Sequence, residues 1–373
     1  MIKKPQLQAI ATLVGTIIGA GILGIPYVVA KAGFFTGIAT ITGLGIVVIV
    51  LYLYLGEIVL RTKGFHQLTG YAERYLGVWG KRMMTFTMVF GIYGALIAYI
   101  IGEGQVLAAI FNGPTILFSL LFFAIASLII YLGVKAVGES ELWMVVVTIA
   151  IVFILALMAV PLISTENFTS FKVRNLFVPY GVVFFAFLGA AAIPEMREEL
   201  VRNEKKLKRS IIIGASIPIA VYLIFTVIVV GVTGLQTTEV ATLGLGQIIG
   251  RHVILIGNLF AVLTMATSFL TLGLALKEMY NYDYNINHQI SWGLTIIIPL
   301  IIALSNVTTF IKAIGIAGVV AGGLEGILIV LMAFRAKKFG NRKPEYSVKL
   351  NKTLAVLIIA IFVLGAVFYF KPL

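Results

Sequence analysis

Long apolar runs follow one another along almost the entire chain, and short polar segments separate them. A helix that crosses the hydrocarbon core of a bilayer needs about 20 apolar residues, because each residue adds about 1.5 Å of rise. The pattern therefore predicts an all-α polytopic membrane protein with about eleven spans, which we number in chain order: residues 7–32, 36–60, 83–111, 115–133, 141–163, 177–200, 208–232, 251–280, 290–305, 309–334 and 352–370.

Span 1 is interrupted near its middle by the segment Gly-Ala-Gly-Ile-Leu-Gly-Ile-Pro at residues 19–26. In hydrocarbon, an unpaired peptide group costs several kcal/mol, so such a break is stable only where the freed groups face protein, a ligand or ions. The segment therefore predicts a discontinuous helix and a binding site. A simple kink, or close helix packing through Gly15-x-x-x-Gly19, is the structural alternative.

Span 6 has a matching interruption, Phe-Leu-Gly-Ala-Ala-Ala-Ile-Pro at residues 187–194. Both interruptions lie about 12 residues, or roughly 18 Å, from the entry end of their span. Because five spans separate equivalent positions, the two halves must be inverted, as in secondary transporters with paired discontinuous helices. The chain is therefore predicted to be one transmembrane domain, residues 1–373, with a first repeat at 7–163, an inverted second repeat at 177–334 and an additional span 11 at 352–370.

Composition agrees with the membrane class, since 60% of the residues are hydrophobic, 12% are charged and the mean hydropathy is +1.08. Most of the 28 basic residues lie in the N-terminal tail and the even-numbered loops. This bias predicts a multi-pass protein of the cell membrane with a cytoplasmic N-terminus and an external C-terminus. The net charge of +13 is thereby explained by topology and needs no nucleic acid partner.

Few residues are available for enzymatic chemistry. The chain has no cysteine, three scattered histidines and one aspartate, so it lacks a thiolate nucleophile, a cysteine metal site and a histidine metal cluster. We therefore expect no enzymatic activity and no cofactor apart from a coupling ion.

Four segments carry a resemblance to a known family. They are residues 14–27 (VGTIIGAGILGIPY), residues 184–189 (FFAFLG) with Ile193-Pro-Glu195, residues 267–270 (TSFL) and, more weakly, residues 99–103 (YIIGE). They resemble amino acid permeases of the amino acid/auxin permease and aromatic amino acid permease group, within the amino acid, polyamine and organocation superfamily. The resemblance implies a leucine-transporter-type fold of five plus five inverted helices, broken in spans 1 and 6.

The two interruptions supply the predicted substrate site. Free amides at the start of the outer half of span 1, where the helix dipole favours an anion, suit a substrate carboxylate. Carbonyls near residues 184–187 in span 6 suit the substrate ammonium, and small residues from Gly189 onward leave room for its side chain. The candidate substrate residues are Gly19, Ala20, Gly21, Ile22, Phe184, Phe185, Phe187 and Gly189. For each phenylalanine, a place in the core or against lipid is the alternative.

Span 8 contributes a cluster of hydroxyl groups at a depth similar to the inner side of the span 1 interruption. Hydroxyls and freed carbonyls are hard oxygen ligands that suit Na⁺, and the resemblance implies a sodium site at these positions. The candidate ion-binding residues are Gly15, Ile18, Thr264, Thr267 and Ser268. The alternative is that each hydroxyl only bonds a carbonyl of its own helix or a neighbouring helix.

Two acidic residues suggest that the coupling ion is a proton instead of Na⁺. Glu103 in span 3 and Glu325 in span 10 lie in apolar surroundings with no basic residue nearby in the sequence, so burial favours their protonated forms. Either is a candidate proton-coupling residue. A solvated vestibule for Glu103 and a neutral packing role for Glu325 are the alternatives, whereas Glu57 and Glu195 are expected in ion pairs near the cytoplasmic face.

These features together predict a secondary active transporter that carries a free amino acid inward in symport with Na⁺ or H⁺ by alternating access. An exchanger or uniporter of the same fold is the main alternative, and a channel is a weaker one. The predicted partners are the amino acid and the lipid bilayer. The identity of the amino acid and the oligomeric state stay open.

Overall fold

The computed structural model describes residues 4–133 and 141–371. In this part of the chain, the ordered elements are helices, and each of the eleven predicted spans contains at least one α-helix. The α-helices are α1 (Lys4–Ile17), α2 (Gly21–Ala32), α3 (Phe34–Leu60), α4 (Leu68–Phe111), α5 (Thr115–Leu132), α6 (Glu141–Ala159), α7 (Tyr180–Ala186), α8 (Ala192–Glu199), α9 (Leu207–Thr233), α10 (Ala241–Ile249), α11 (Arg251–Glu278), α12 (His288–Leu304), α13 (Phe310–Ala317), α14 (Gly323–Phe339) and α15 (Lys352–Phe370).

The described helices match the membrane class. Seven helical stretches are long and apolar enough to cross a bilayer, and α1 with α2 forms an eighth stretch that is bent by 54°. Shorter apolar helices lie at Val146–Leu162 and His288–Leu304. Span 6 is divided into α7 and α8, each too short to cross alone. The all-α fold with broken spans 1 and 6 therefore has a direct counterpart in the structure, whereas the number of crossings and the inverted repeat stay predictions.

Two elements differ from the sequence-based expectation. Helix α4 begins 15 residues before predicted span 3, and Gly77 kinks it with a φ of 76°, which glycine adopts without strain. The added segment carries charged residues and Trp79, which is 71% exposed, so it escaped a search for apolar runs. Helix α10 was not predicted, because its nine residues are too few to register as a span.

Span 10 is also irregular. A π-helical segment, Gly318–Gly322, joins α13 to α14. Its glycines pack directly on α7, since a Cβ atom on Gly318 would overlap the carbonyl oxygen of Gly181. Such π-helical segments often occur at functional sites. Here the segment ends three residues before Glu325, the predicted proton-coupling residue of span 10.

The broken spans lie at the centre of the molecule. Helix α9 packs against α1, α2 and α3, and α4 packs against α5, α11 and α13. The central helices are held by fully buried large side chains that include Tyr222, Phe225, Phe260 and Phe269. The scaffold helices α9, α3, α4 and α11 therefore surround the two interruptions and decide what their freed backbone groups can contact.

Candidate substrate and ion site

The span 1 break consists of residues 18–20, between α1 and α2. The last regular helical hydrogen bond joins the Ile18 amide to the Val14 carbonyl at 2.8 Å. The Gly19 amide donates instead to the Ile17 carbonyl at 2.9 Å. Among the described residues, the amides of Ala20 and Gly21 have no hydrogen-bond acceptor. Two donors are therefore available at the N-terminus of α2.

The span 6 break consists of residues 187–191, between α7 and α8. Turn-like bonds close both of its ends, from Phe187 to Phe184 at 3.1 Å and from Ala192 to Gly189 at 3.1 Å. The amides of two consecutive residues have no acceptor in the part of the chain that the structure describes: Ala190 and Ala191. This break therefore also presents free donors at a helix N-terminus.

The two breaks touch each other. A Cβ atom on Gly21 would lie 2.6 Å from the Cα atom of Ala186, and a Cβ atom on Gly189 would lie 2.6 Å from Cγ1 of Ile17. Both separations are too short for real carbon atoms. Glycine at these two positions therefore permits the close approach that turns two separate interruptions into one site.

Two tyrosines from the scaffold bond carbonyls that the breaks release. The hydroxyl of Tyr222 in α9 lies 2.7 Å from the Ile17 carbonyl oxygen and 2.8 Å from that of Ala186. The hydroxyl of Tyr52 in α3 donates to the Phe187 carbonyl at 2.5 Å. Sequence reasoning missed both residues. The available signal was a tyrosine hydroxyl within an apolar span, where it needs a partner.

A cavity of about 270 Å³ lies beside the touching breaks. It is bounded by both breaks, by α4, by α11 and by span 10. Its lining extends to Leu68 and Ala275, on the side predicted to be cytoplasmic, whereas the outer residues of α4 and α11 do not contribute. Most of the lining side chains are apolar or small, such as Ile92, Ala95 and Leu272. The cavity therefore has room for a small solute between free amides and apolar walls.

Half of the predicted substrate residues line this cavity: Gly19, Gly21, Phe185 and Gly189. The remaining four do not: Ala20, Ile22, Phe184 and Phe187. The Phe184 ring stacks on Phe362 at 5.0 Å, and the Phe187 ring packs on Tyr222 at 5.2 Å. These two phenylalanine rings therefore take the alternative, core-packing position.

The expectation of free carbonyls in span 6 needs correction. The carbonyls of Phe184 and Phe185 accept amides within the chain, and those of Ala186 and Phe187 accept tyrosine hydroxyls. The physical reason is that a buried carbonyl without a partner is costly, so the scaffold supplies donors to those that the break releases. Among the described residues, the amides of this break that have no partner are those of Ala190 and Ala191.

The predicted sodium ligands are largely brought together. Gly15, Ile18, Thr267 and Ser268 all line the cavity, and among the described residues no group donates to the carbonyls of Gly15 or Ile18. A Cβ atom on Gly19 would lie 3.2 Å from Oγ of Ser268, so the span 1 break directly faces α11.

The threonine hydroxyls of α11 also bond their own helix. Thr267 donates to the Leu263 carbonyl at 2.7 Å and also lines the cavity. Thr264 donates to the Phe260 carbonyl at 2.8 Å and does not line the cavity. No group of three or more histidine, cysteine, aspartate or glutamate side chains forms a metal site in the described chain.

The two candidate proton carriers have different positions. Glu325 lines the cavity. Glu103 lies one turn beyond cavity-lining Tyr99 on α4 and is fully buried, and neither of its carboxylate oxygens has a hydrogen-bond partner among the described residues. The structure thus places Glu325, and not Glu103, where a bound solute could contact it.

Ion pairs hold the predicted cytoplasmic end of the molecule. Glu57 pairs with Arg61 at 2.7 Å and with Lys337 at 2.9 Å, as expected for an acid near the basic loops. Arg342 in the loop after α14 pairs with Glu204 and Glu345, each at 2.5 Å. Hydrogen bonding to Glu345 raises the pKa of Arg342 above its ordinary value. These contacts fasten α3, α14 and the segment after α8 to one another.

Side-chain hydrogen bonds hold α8 at more points than α1 at this end. The buried Arg197 side chain donates to the carbonyls of Val59, Thr62 and Gly64 at 2.8, 3.1 and 2.8 Å. Helix α1 is joined to α8 by a hydrogen bond from Thr12 to Glu199 at 2.8 Å. The inner half of span 6 is therefore hydrogen-bonded to α3, and the inner half of span 1 is hydrogen-bonded to the inner half of span 6.

Comparisons with known proteins show which transporters this chain is similar to. The model of the tryptophan/tyrosine permease family matches residues 3–369. Tyrosine-specific transport system 1 of Haemophilus influenzae is 28% identical over 92% of both chains, and glutamine transporter 2 of Aliivibrio fischeri is 25% identical over 87% of this chain and 88% of its own.

A solved structure shares the fold. The crystal structure of MhsT in complex with L-phenylalanine superposes with a TM-score of 0.71 and 16% identity, covering 96% of this chain and 98% of its own. At that identity the likeness establishes the leucine-transporter-type fold alone. The relatives' names describe transporters and permeases rather than enzymes.

Proposed function

The chain belongs to the tryptophan/tyrosine permease family, and from that premise we propose that it is a secondary active symporter that moves an amino acid into the cell with a cation. The observation that carries the proposal is the cavity beside two touching helix breaks with unpaired amides. Amides at helix N-termini suit the carboxylate that every amino acid has. Of these donors, the Gly21 amide belongs to a residue that lines the cavity and is the proposed carboxylate ligand in span 1, within residues 19–21 expected from the sequence.

The proposed substrate is a neutral amino acid with a large apolar side chain, most simply an aromatic one. Supporting observations are the apolar lining from Ile17, Ile92, Phe185 and Leu272, and a cavity of about 270 Å³. A tyrosine transporter among the relatives points the same way. Thermal stabilisation by each of the twenty amino acids tests this assignment. Aromatic amino acids should raise the unfolding temperature, and a larger shift with lysine or aspartate would contradict it.

The proposed coupling ion is Na⁺, held by the carbonyls of Gly15 and Ile18 and the hydroxyls of Thr267 and Ser268. Uptake of labelled substrate into proteoliposomes, driven separately by a sodium gradient and by a pH gradient, is the test. A sodium gradient should drive accumulation in the parent and should fail to do so in the double variant Thr267→Ala, Ser268→Ala. Thr42→Ala, at a lipid-exposed threonine that also bonds its own helix, is the matched control.

Proton coupling through Glu325 is the second candidate, because that carboxylate lines the cavity. If protons drive uptake, Glu325→Gln should abolish accumulation against a gradient and flatten the pH dependence of transport. Glu103→Gln is the comparison, since Glu103 lies outside the cavity lining. An exchanger would require unlabelled substrate inside the vesicles before uptake starts, and a channel would give transport that does not saturate.

The proposed orientation places the N-terminus in the cytoplasm and the C-terminus outside. Transport by alternating access then requires the inner half of span 1, α1, to move and open the cytoplasmic path. Because the chain contains no cysteine, a single cysteine in either tail can be labelled in intact cells with an impermeant maleimide. Labelling of an N-terminal cysteine in intact cells would contradict the orientation.

A further inference from the structure

One buried hydroxyl contacts both helix breaks where each begins. Ile17 is the last residue of α1 and Ala186 is the last residue of α7, and the carbonyls of both converge on the hydroxyl of Tyr222. Tyr222 is fully buried on α9 and separated from these residues by 205 and 36 positions in the chain. The span 1 break and the span 6 break therefore share one donor.

A tyrosine hydroxyl has a single hydrogen, whereas two carbonyls lie within hydrogen-bond distance of it. The hydrogen is therefore shared between them, or donated to one at a time. If the end of α1 moved away, the hydroxyl would still have the Ala186 carbonyl within reach and would donate to it fully. The loss of Ile17 as an acceptor would leave no unpaired hydroxyl in the scaffold.

The span 6 side of this contact is the fixed side. Tyr52 donates to the Phe187 carbonyl, and Arg197 ties α8 to the last turn of α3 and the segment after it through three carbonyls. Helix α1 has the shared Tyr222 contact at its last residue and one bond to α8, from Thr12 to Glu199. Side-chain hydrogen bonds from the scaffold therefore hold the span 6 break and α8 at more points than they hold α1.

We infer that Tyr222 is a positioning residue for transport: its hydroxyl latches the end of α1 to the span 6 break, and donation passes to Ala186 when α1 moves. This inference rests on the proposed alternating-access function. It makes Tyr222 a determinant of how often the inner half of span 1 leaves its place, in addition to any contribution to stability.

A cysteine reporter on α1 tests the inference. Ala9 is fully buried on α1, so Ala9→Cys in this cysteine-free chain should react with a maleimide only when α1 moves. In detergent or inside-out vesicles, adding Tyr222→Phe should raise the labelling rate about two- to tenfold, the change that one net hydrogen bond makes in an equilibrium. Tyr54→Phe is the matched control, because the Tyr54 hydroxyl is equally buried but has no partner.

The outcomes distinguish a role of Tyr222 in the movement of α1 from a role in stability alone. Faster labelling in Tyr222→Phe, with parent-like labelling in Tyr54→Phe and Tyr52→Phe, supports the latch. Equal labelling in all three variants at a temperature well below unfolding overturns it. If Tyr222→Phe does not fold, a fluorinated tyrosine at position 222, a stronger donor of nearly the same size, should slow labelling, and unchanged labelling overturns the latch.

A failure of the proposed transport function has a different signature. In the Ala9→Cys parent, saturating substrate with its coupling ion should change the labelling rate if the site binds an amino acid. If none of the twenty amino acids changes that rate with Na⁺ present or across the pH range, the proposed function fails. If substrate changes the rate in the parent but Tyr222→Phe labels as the parent does, only the latch fails.

Discussion

The span 1 break and the span 6 break look alike in the sequence but are held differently in the structure. Both combine small residues with a following Ile-Pro, and both leave free amides before an α-helix. The released carbonyls in span 6 have two tyrosine donors, Tyr222 and Tyr52, whereas span 1 shares one of these donors through Ile17. Span 1 also keeps two carbonyls, at Gly15 and Ile18, without a partner in the described chain. A similar local pattern therefore produces one break whose released carbonyls are bonded by tyrosines and one that keeps two carbonyls without a partner among the described residues.

The largest expected difference between the breaks concerns their glycines. Alanine at Gly21 would meet the backbone of Ala186 at 2.6 Å, whereas alanine at Gly189 would meet the movable Ile17 side chain at 2.6 Å. Because backbone cannot yield as a side chain can, we expect Gly21→Ala to cost about 1–3 kcal/mol of unfolding free energy and most substrate binding. Gly189→Ala should cost less. Thermal unfolding and substrate titration measure both.

A neutral control is available for this pair of substitutions. Gly43 on α3 has no atom within 4 Å of the position a Cβ would take, so Gly43→Ala should leave unfolding and binding unchanged. If Gly189→Ala proved more damaging than Gly21→Ala, the contrast between a backbone contact and a side-chain contact would be wrong.

The next effect concerns the hydrogen bond between the Tyr52 hydroxyl and the Phe187 carbonyl in the span 6 break. Tyr52→Phe leaves the Phe187 carbonyl buried without its donor. Such a loss costs about 1–3 kcal/mol, and we expect it in the free energy of unfolding together with weaker substrate binding. Tyr54→Phe, two residues away on α3 and without a hydroxyl partner, should change neither. Equal stability of the two variants would show that Tyr52 does not anchor this break.

The smallest expected effect concerns the attachment of α1 to α8. Thr12→Val removes the part-buried hydrogen bond to Glu199 with little change in shape. Loss of one such bond changes stability by about 0.5–1.5 kcal/mol, and we expect faster maleimide labelling of Ala9→Cys with little change in substrate affinity. Thr42→Val, on the exposed face of α3, is the control. Labelling equal to that of the control would mean that Thr12 does not restrain α1.

The contrast between Glu103 and Glu325 shows where sequence reasoning stopped. Both acids occur between glycines or close to them in apolar spans, so local pattern treats them alike. The π-helical segment Gly318–Gly322 and its packing on α7 place Glu325 at the cavity. Glu103, on α4, is fully buried and lies outside the cavity lining. A π-helical segment shifts the helix register of the residues that follow it. Such a shift within a span cannot be read from composition.

Apolar run length and the positions of glycine and proline determined much of this protein from the sequence alone: the all-α membrane class and the location of both breaks. These features are local, because a bilayer demands about 20 apolar residues and breaks need special backbone residues wherever the chain folds. Only the tertiary structure decided which freed groups stay free. Tyr222 reaches Ile17 across 205 positions and Tyr52 reaches Phe187 across 135, and no local pattern encodes contacts at such separations.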